Sequence, residues 1–338
     1  MVSSARQGQP LDALREIFGD RLKPGPLPED GRALAAVSPR DADEVRRLSA
    51  TADRLTLRLV PLGAGTSAAE EDHENAVLVR FDLMGAARLP EGDEPWVEAQ
   101  PGATLLSLEN NLGARGLGLA VYPTSAPRAT VGGWLAGEGI GVGSFEHGRL
   151  PENVLSADVV LAGGGRKTVS GEELPDLLRR EPGTLVVNAR LRTRPARDVP
   201  FAARFDDIED LTGAVVGLVE GGVPLWHLAF LDAAMSRARD LGEHALLFGA
   251  YPQERSSAVE GALLEKIEAN AGRTLPPADA HRAWGQRFFP VAPSHPTPEV
   301  VRRSIPLKEV PAALLSERGP LQGNVSRSGE VLLLRLVS

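Results

Sequence analysis

The segment from Pro61 to Ser67 reads Pro-Leu-Gly-Ala-Gly-Thr-Ser and constrains the fold of this chain more than any other stretch. It follows an apolar, β-rich run over 56–60, so we expect a strand that leaves its sheet into a tight loop. Two glycines adopt positive φ readily and leave backbone N–H groups open to an anion. Thr66 and Ser67 add hydroxyl donors, and a pyrophosphate fits such a loop. An ordinary glycine turn is the competing interpretation.

Composition excludes several classes of protein. The chain has 338 residues, enough for two domains with cores, and its net charge of -8 argues against nucleic acid as the main partner. No run reaches the roughly 18–20 apolar residues of a membrane span, and residues 1–10 lack the apolar region of a secretory signal. The absence of cysteine excludes disulfides and thiolate metal sites. We therefore expect a cytoplasmic protein without direct membrane insertion, held at a membrane only through a partner.

The first half of the chain alternates predicted strands and helices. A short helix is expected over 11–18, followed by a proline-rich connector. Ser38 and Pro39 predict the N-cap and first position of a helix that leads into the strand at 56–60. Another strand begins at Ala76 with no helical pattern after the glycine loop, which excludes the dinucleotide-binding arrangement of a Rossmann domain.

Two further loops have the composition of anion-binding segments. Tyr122–Gly133 carries prolines, hydroxyl side chains and a glycine pair, and Gly139–Ser144 alternates glycine with other residues. A short helix is expected between them, over Trp134–Glu138. Three such loops in one domain favour an extended ligand with phosphate groups over three unrelated turns.

Taken in order, the features of residues 33–195 resemble the FAD-binding domain of the vanillyl-alcohol oxidase / p-cresol methylhydroxylase (PCMH) superfamily. The resemblance rests on six fragments in the same order: Ser38-Pro39, Pro61–Ser67, Pro101–Ala103, Ser125–Gly133, Asp158–Ala162 and Glu181–Leu185. It implies an α+β fold in which a PCMH-type domain of two subdomains binds FAD and precedes a ferredoxin-like cap. The expected divisions are an N-terminal helix and linker over 1–31, the FAD-binding domain over 32–198, and an abbreviated cap or substrate domain over 199–338.

The resemblance also implies which residues contact the cofactor. The glycine loop would hold the pyrophosphate through backbone N–H groups, the second loop would form another contact strip, and a residue of the last strand would lie near the adenine. The implied contacts are Gly63, Ala64, Gly65, Thr66, Ser67, Ser125, Thr130, Gly132, Gly133, Gly139 and Val187. Because the chain has no cysteine, and the loop has no histidine, we expect non-covalent FAD. Two departures, the acidic Glu70-Glu71-Asp72 and Val186 in place of glycine, would weaken binding or narrow the flavin channel.

The second half repeats a β-α-β pattern, which predicts an antiparallel sheet with helices on one face. Trp284-Gly-Gln-Arg287 resembles the Trp-x-x-Arg segment of FAD-dependent D-2-hydroxyacid dehydrogenases, in which the arginine holds the substrate carboxylate. A surface arginine beside a half-buried tryptophan is the competing interpretation. The histidine-rich stretch of those enzymes is replaced here by Gly323–Glu330, without histidine, and no metal site is expected.

These features lead to one main hypothesis and two alternatives. The main hypothesis is a FAD-binding oxidoreductase, or a subunit of a glycolate-oxidase-like complex with catalytic and iron–sulfur partner subunits. It oxidises a small 2-hydroxy acid by hydride transfer to flavin. The alternatives are a stand-alone flavin oxidase of another small alcohol or hydroxy acid, and a flavin-free scaffold subunit with a degenerate site.

Overall fold

The computed structural model describes residues 3–27, 32–64, 74, 76–92, 94–137, 139–289, 299–316 and 319–337. Its strands are β1 (Leu22–Pro24), β2 (Ala35–Val37), β3 (Leu59–Leu62), β4 (Val77–Arg80), β5 (Ala87–Arg88), β6 (Trp96–Ala99), β7 (Leu117–Leu119), β8 (Val154–Val160), β9 (Arg166–Val169), β10 (Leu185–Pro195), β11 (Asp198–Phe205), β12 (His227–Leu231), β13 (Ala245–Pro252), β14 (Arg273–Thr274), β15 (Glu299–Pro306), β16 (Leu321–Val325) and β17 (Glu330–Val337). Its helices are α1 (Ser3–Phe18), α2 (Ala42–Arg54), α3 (Leu105–Gly113), α4 (Val131–Leu135), α5 (Ser144–His147), α6 (Leu174–Arg180), α7 (Ile208–Glu220), α8 (Ala233–Ala238), α9 (Ser256–Glu268), α10 (Pro277–Gly285) and α11 (Val310–Ser316).

The chain divides into two compact units, each built from separate stretches of sequence. The first unit comprises 1–112, 126–138 and 154–193, and the second comprises 113–125, 139–153 and 194–338. In the part of the chain that the structure describes, no helix is both long and apolar enough to cross a bilayer.

The first unit contains a small sheet whose order is β1-β2-β4-β3. Strands β2 and β3 both run parallel to β4, as the predicted β-α-β connection through α2 requires. The carboxyl ends of these three strands therefore lie at one edge of the sheet, which is the edge where ligands bind in parallel sheets. The predicted glycine loop leaves β3 at this edge.

Helix α2 begins later than the sequence predicts. Asp41, not Ser38, is its N-cap, since the Asp41 carboxylate accepts a hydrogen bond of 2.8 Å from the Glu44 N–H. Val45 and Leu48, which are three residues apart and so share one face of the helix, are buried in the core that the helix shares with the parallel sheet.

A nearly buried ion pair fixes the start of α2. The Glu44 carboxylate accepts hydrogen bonds of 2.6 and 2.7 Å from the Arg21 guanidinium and of 2.9 Å from the backbone N–H of Arg40. These bonds, with Arg21 as the largest cause, lower the pKa of Glu44 from 4.5 to about 2. The carboxylate therefore stays ionised in the folded protein well below the pH at which an unfolded chain protonates it.

This shift predicts an acid-dependent loss of stability. Because the folded pKa of Glu44 lies below its unfolded value, its contribution is complete above the ordinary value of 4.5 and is lost as the pH falls toward about 2. At neutral pH, Glu44→Gln should lower the free energy of unfolding by about 1.5–3 kcal/mol, as measured by urea unfolding. The difference in unfolding free energy between Glu44→Gln and the wild type should shrink on acidification. The control is Glu16→Gln, because Glu16 is exposed. An unchanged difference under acid would contradict the assigned pKa.

A second, antiparallel sheet of the first unit runs in the order β5-β6-β10-β8-β9. Strand β10 pairs with both β6 and β8. Its register against β8 shifts between Val186 and Asn188, so that Val187 has no partner residue on β8. Such a bulge changes the direction of a side chain and interrupts the regular hydrogen-bond ladder between the two strands.

The second unit contains an antiparallel sheet in the order β14-β11-β13-β12-β16-β17-β15. Helices α7, α9 and α11 pack on one face, through residues such as Leu211, Val259 and Val310. The prediction of helices on one face only is wrong, because α8 and α10 cover part of the other face through Met235 and Ala283. Both helices are short, six residues in α8 and nine in α10, so their sequences show little helical periodicity.

Candidate functional site

The predicted glycine loop meets the second predicted strip in the first unit. Gly63 follows the end of β3, and a Cβ atom added to it would lie 3.2 Å from the Cα atom of Gly133 and 3.3 Å from Thr130 Oγ1. These distances are shorter than most Cβ contacts in proteins, so a side chain at this position would push the two backbone segments apart by a few tenths of an ångström. The sequence alone could not show that these residues touch.

The same strip is fixed by two further contacts. Thr130 is the N-cap of α4, and its Oγ1 accepts a hydrogen bond of 3.3 Å from the Gly133 N–H. The Gly132 N–H donates to the Pro101 carbonyl at 2.8 Å, and a Cβ atom on Gly132 would lie 2.7 Å from the Pro101 Cβ. Three predicted segments therefore converge in a glycine cradle, formed by Gly63, Thr130, Gly132 and Gly133.

The remaining predicted cofactor residues fall into three groups. Ala64 is half-buried directly after Gly63, whereas Gly65, Thr66, Ser67 and the acidic triplet lie outside the described residues. Ser125 and Gly139 lie in the second unit and are half-buried. The Gly139 carbonyl accepts a hydrogen bond of 3.3 Å from Leu150.

A cavity of about 380 Å³ lies in the first unit, lined mainly by residues of its antiparallel sheet. It contains the predicted adenine residue Val187, next to Asn188 at the bulge of β10. Gln100 lines the cavity and directly precedes Pro101, the residue that contacts Gly132 of the glycine cradle. The cavity therefore begins one residue away from that contact. The residues that line it are Ala42, Met84, Ala86, Ala87, Arg88, Glu98, Gln100, Asp158, Arg166, Val187 and Asn188.

The cradle and the cavity fit FAD as a long ligand. Gly63 and Gly133 are exposed, so no side chain covers the backbone that a pyrophosphate would contact. The adjoining cavity combines apolar walls with amide and charged side chains, which suits an adenosine group. Sequence reasoning missed Met84, Gln100 and Asn188. The position of Met84 just after a parallel strand was the available signal, since ligands bind where such strands end.

In the second unit, Arg287 is held by aromatic residues. Its Nε donates to the Tyr122 hydroxyl at 2.9 Å and its Nη1 to the Trp284 carbonyl at 3.1 Å. The guanidinium carbon lies 4.5 Å from the ring centroid of Trp284 and 4.3 Å from that of Phe288. Within the described ranges no carboxylate pairs with it. Three of the five N–H groups of a guanidinium therefore remain available to a ligand.

His227 lies close to this arginine and is completely buried. Its Nδ1 accepts a hydrogen bond of 3.4 Å from the Gly143 N–H, which places the proton of the neutral ring on Nε2. Burial, with a smaller contribution from the charge of Arg287, lowers the pKa of His227 to about 3. Its Nε2 has no hydrogen-bond partner among the described residues, so His227 is a neutral, unused donor at physiological pH.

The prediction that the chain holds no metal site stays a prediction. In the described ranges there is no group of three or more histidine, cysteine, aspartate or glutamate side chains arranged to hold a metal ion. The segment that replaces the histidine-rich stretch forms the end of β16, where Asn324 is buried and Ser326 follows.

Comparison with known proteins identifies the domain that the glycine cradle belongs to. Residues 33–170 match the protein-family model described as FAD binding domain. Residues 33–170 therefore form an FAD-binding domain. The predicted superfamily and its cofactor, FAD, are thereby confirmed; non-covalent attachment stays a prediction.

Curated relatives of this chain align with it over only about half of their own length. A probable mitochondrial D-lactate dehydrogenase of Danio rerio is 29% identical over 221 residues, which are 60% of this chain and 44% of the relative. A D-lactate dehydrogenase of Archaeoglobus fulgidus is 29% identical, covering 69% of this chain and 54% of the relative. The glycolate oxidase subunit GlcD of Bacillus subtilis is 24% identical, covering 59% and 45%. The chain thus spans about half the length of these relatives.

Solved structures confirm the predicted fold class. A p-cresol methylhydroxylase superimposes with a TM-score of 0.78 at 11% identity, covering 99% of this chain and 84% of that structure. An alkyldihydroxyacetonephosphate synthase superimposes with a TM-score of 0.75 at 14% identity, covering 97% and 80%. At these identities the likeness establishes the α+β fold of PCMH-type flavoproteins.

Proposed function

We propose that this chain binds FAD without a covalent link and oxidises a small 2-hydroxy acid. The observation that carries the substrate class is the Arg287 guanidinium, which is stacked between Trp284 and Phe288 and has no carboxylate partner within the described ranges. A planar, permanently charged fork of this kind suits a carboxylate. Relatives named D-lactate dehydrogenase and glycolate oxidase subunit support a hydroxy acid as the substrate.

In this proposal the first unit holds the cofactor. Backbone groups of the glycine cradle, extended by the loop over 64–67, bind the pyrophosphate. The cavity beside Val187 takes the adenosine, with the amides of Gln100 and Asn188 as its polar contacts. Ser125 and Gly139 complete the contacts of the cofactor. When bound, FAD supplies the two-electron acceptor for oxidation.

The second unit orients the acid. Arg287 binds the carboxylate, and the completely buried His227 beside it stays neutral, so it adds no second positive charge at this position. The carbon that bears the hydroxyl would give up a hydride to the bound FAD, the hydroxyl would release its proton to water, and the product would be a 2-oxo acid. Because His227 is completely buried and resists protonation, it is not the base that takes the hydroxyl proton.

A second candidate places the chain in a complex. The histidine-free stretch Gly323–Glu330 and the relatives named glycolate oxidase subunit favour a chain that works beside a catalytic and an iron–sulfur subunit. Such partners would also account for any association with a membrane. Oxidation would then take place in the assembled complex rather than in the isolated chain.

A visible spectrum followed by anaerobic titration tests both candidates. The purified chain should show the absorbance bands of oxidised flavin, and acid precipitation should release the flavin from the protein. D-Lactate or glycolate should bleach the bands, whereas propionate, which lacks the hydroxyl, should not. Flavin that only bleaches after partner subunits are added would favour the complex. Protein that stays colourless after incubation with FAD would overturn both candidates and favour the flavin-free scaffold.

A further inference from the structure

Tyr122 brings a hydroxyl group to Arg287 from a distant part of the sequence. The two residues are 165 positions apart, both lie in the second unit, and the Arg287 Nε donates to the Tyr122 hydroxyl at 2.9 Å. Tyr122 is only 1% exposed, so a ligand does not reach its side chain. Arg287 is half-buried and stays within reach of a ligand. Any effect of Tyr122 on a ligand therefore passes through Arg287.

The surroundings of Tyr122 fix the position of its hydroxyl group. Its backbone N–H donates to the Val142 carbonyl at 3.0 Å, and its carbonyl accepts from the Val142 N–H at 2.7 Å. Its ring packs against Trp226 and Phe288, with centroid distances of 6.2 and 6.4 Å. Because both the backbone and the ring are held by these contacts, the hydroxyl is a rigid acceptor for Arg287.

The bound hydroxyl changes which part of Arg287 a carboxylate can use. A guanidinium has two edges that can donate two parallel hydrogen bonds to a carboxylate: Nε with one Nη, and the two Nη atoms together. The Nε–H is used by Tyr122, and one N–H of Nη1 is used by the Trp284 carbonyl at 3.1 Å. The rings of Trp284 and Phe288 lie against the flat surface of the group. Since each Nη carries two N–H groups, the edge formed by Nη1 and Nη2 remains for a carboxylate.

We propose that Tyr122 is a positioning residue, which closes one edge of Arg287 and directs the substrate carboxylate to the other. This inference rests on the proposed function, in which Arg287 binds the carboxylate of a 2-hydroxy acid. A carboxylate at the edge of the two Nη atoms lies on the line from Nε through Cζ, so the carbon that bears the hydroxyl has one direction from the arginine. Without the tyrosine hydroxyl, the acid can also bind at the Nε edge and point elsewhere. Tyr122 thereby selects the orientation of the acid rather than the strength of its binding.

Tyr122→Phe separates orientation from affinity, because it removes the hydroxyl and keeps the ring. In the flavin-loaded protein, with partner subunits where turnover needs them, the limiting rate of anaerobic flavin bleaching by D-lactate should fall by about 10- to 100-fold. The dissociation constant of propionate, which lacks the reacting hydroxyl, should stay within about 3-fold of the wild-type value. Quenching of tryptophan fluorescence reports propionate binding without turnover. A wild-type limiting rate, or a loss of propionate affinity as large as the loss of rate, would overturn the inference.

The matched control is Tyr251→Phe. The sequence has only two tyrosines, and the Tyr251 hydroxyl donates to Glu260 at 3.2 Å. This variant should keep the wild-type limiting rate and propionate affinity. If Tyr122→Phe does not fold, 3-fluorotyrosine incorporated into the Tyr251→Phe chain modifies Tyr122 alone and weakens its oxygen as an acceptor. It should lower the limiting rate without changing propionate affinity, and an unchanged rate would contradict the assignment.

A double-mutant cycle tests whether Tyr122 acts through Arg287. Lysine has no planar fork with two edges. In a chain that already carries Arg287→Lys, Tyr122→Phe should therefore change the limiting rate by less than about 2-fold. Equal losses of rate in the two backgrounds would show that the hydroxyl supports only the local structure, and would overturn the positioning role.

The two proposals fail in different ways. If D-lactate bleaches the flavin of the wild type and Arg287→Met prevents this, but Tyr122→Phe matches Tyr251→Phe, only the positioning role is lost. If no hydroxy acid bleaches the flavin of the wild type, either in the isolated chain or with partner subunits, the proposed function is lost as well.

Discussion

Replacing Gly63 by valine should strip FAD from the protein. A Cβ atom at this position lies 3.2 Å from the Gly133 Cα and 3.3 Å from Thr130 Oγ1, and valine adds two methyl groups beyond it. The two backbone segments must separate, at a cost of about 1–3 kcal/mol for overpacking, and the pyrophosphate contacts separate with them. We expect flavin affinity to fall by about 10- to 100-fold, measured as the ratio of flavin to protein after gel filtration.

The control for this variant is Gly165→Val. Gly165 lies in the same unit with extended backbone, and a Cβ atom there would meet only Leu161 Cδ1 at 4.0 Å. This variant should retain the flavin content of the wild type. Full flavin content in Gly63→Val, with an unchanged FAD dissociation constant, would show that the cradle is not the pyrophosphate site.

Replacing Arg287 by methionine should leave FAD bound and remove oxidation of the hydroxy acid. Methionine keeps the apolar length that packs on Trp284 and Phe288 but loses the charged donors. Loss of a charge-assisted contact in a desolvated site costs about 2–5 kcal/mol, so kcat/KM for flavin reduction should fall by at least about 30-fold. For Arg287→Lys, kcat/KM should lie between the values of the wild type and of Arg287→Met, because lysine keeps the charge without the planar fork.

The matched control is Arg282→Met on the preceding helix. Arg282 is exposed and its guanidinium donates to the Asp240 carbonyl. Anaerobic stopped-flow measurement of flavin bleaching should give wild-type rates for this variant. Wild-type rates in Arg287→Met as well would remove Arg287 from the site and leave the substrate class without its main support.

The fold was predictable where local patterns carry it. Apolar runs and helical periodicity predicted β3, β4 and the buried face of α2, including Leu48. Strand β1 was missed because Lys23 and Pro24 read as a connector, although proline is tolerated at the edge position that β1 occupies. The cap of α2 was misplaced because Ser38 and Asp41 are both good N-cap residues, and only the hydrogen bond to Glu44 separates them.

The candidate site was predictable only in part. Glycines and hydroxyls indicated the segments that we propose for phosphate binding, and the motif around Trp284 indicated Arg287. The contact of Gly63 with Gly133 depends on tertiary packing that no local pattern encodes. Tyr122 and Arg287 are 165 residues apart in sequence, so their hydrogen bond likewise emerges only from the folded chain.

The discontinuous sequence of the second unit has a consequence for how this protein can be cut and how it is made. Tyr122 and Gly143 lie on two short stretches that precede β10, yet they contact Arg287 and His227 on the later part of the chain. A fragment that starts at residue 199 would lack both partners and leave these side chains unsupported. During synthesis, these early stretches meet their partners only after β12 and α10 have been made, so the second unit cannot finish folding before the later part of the chain is present.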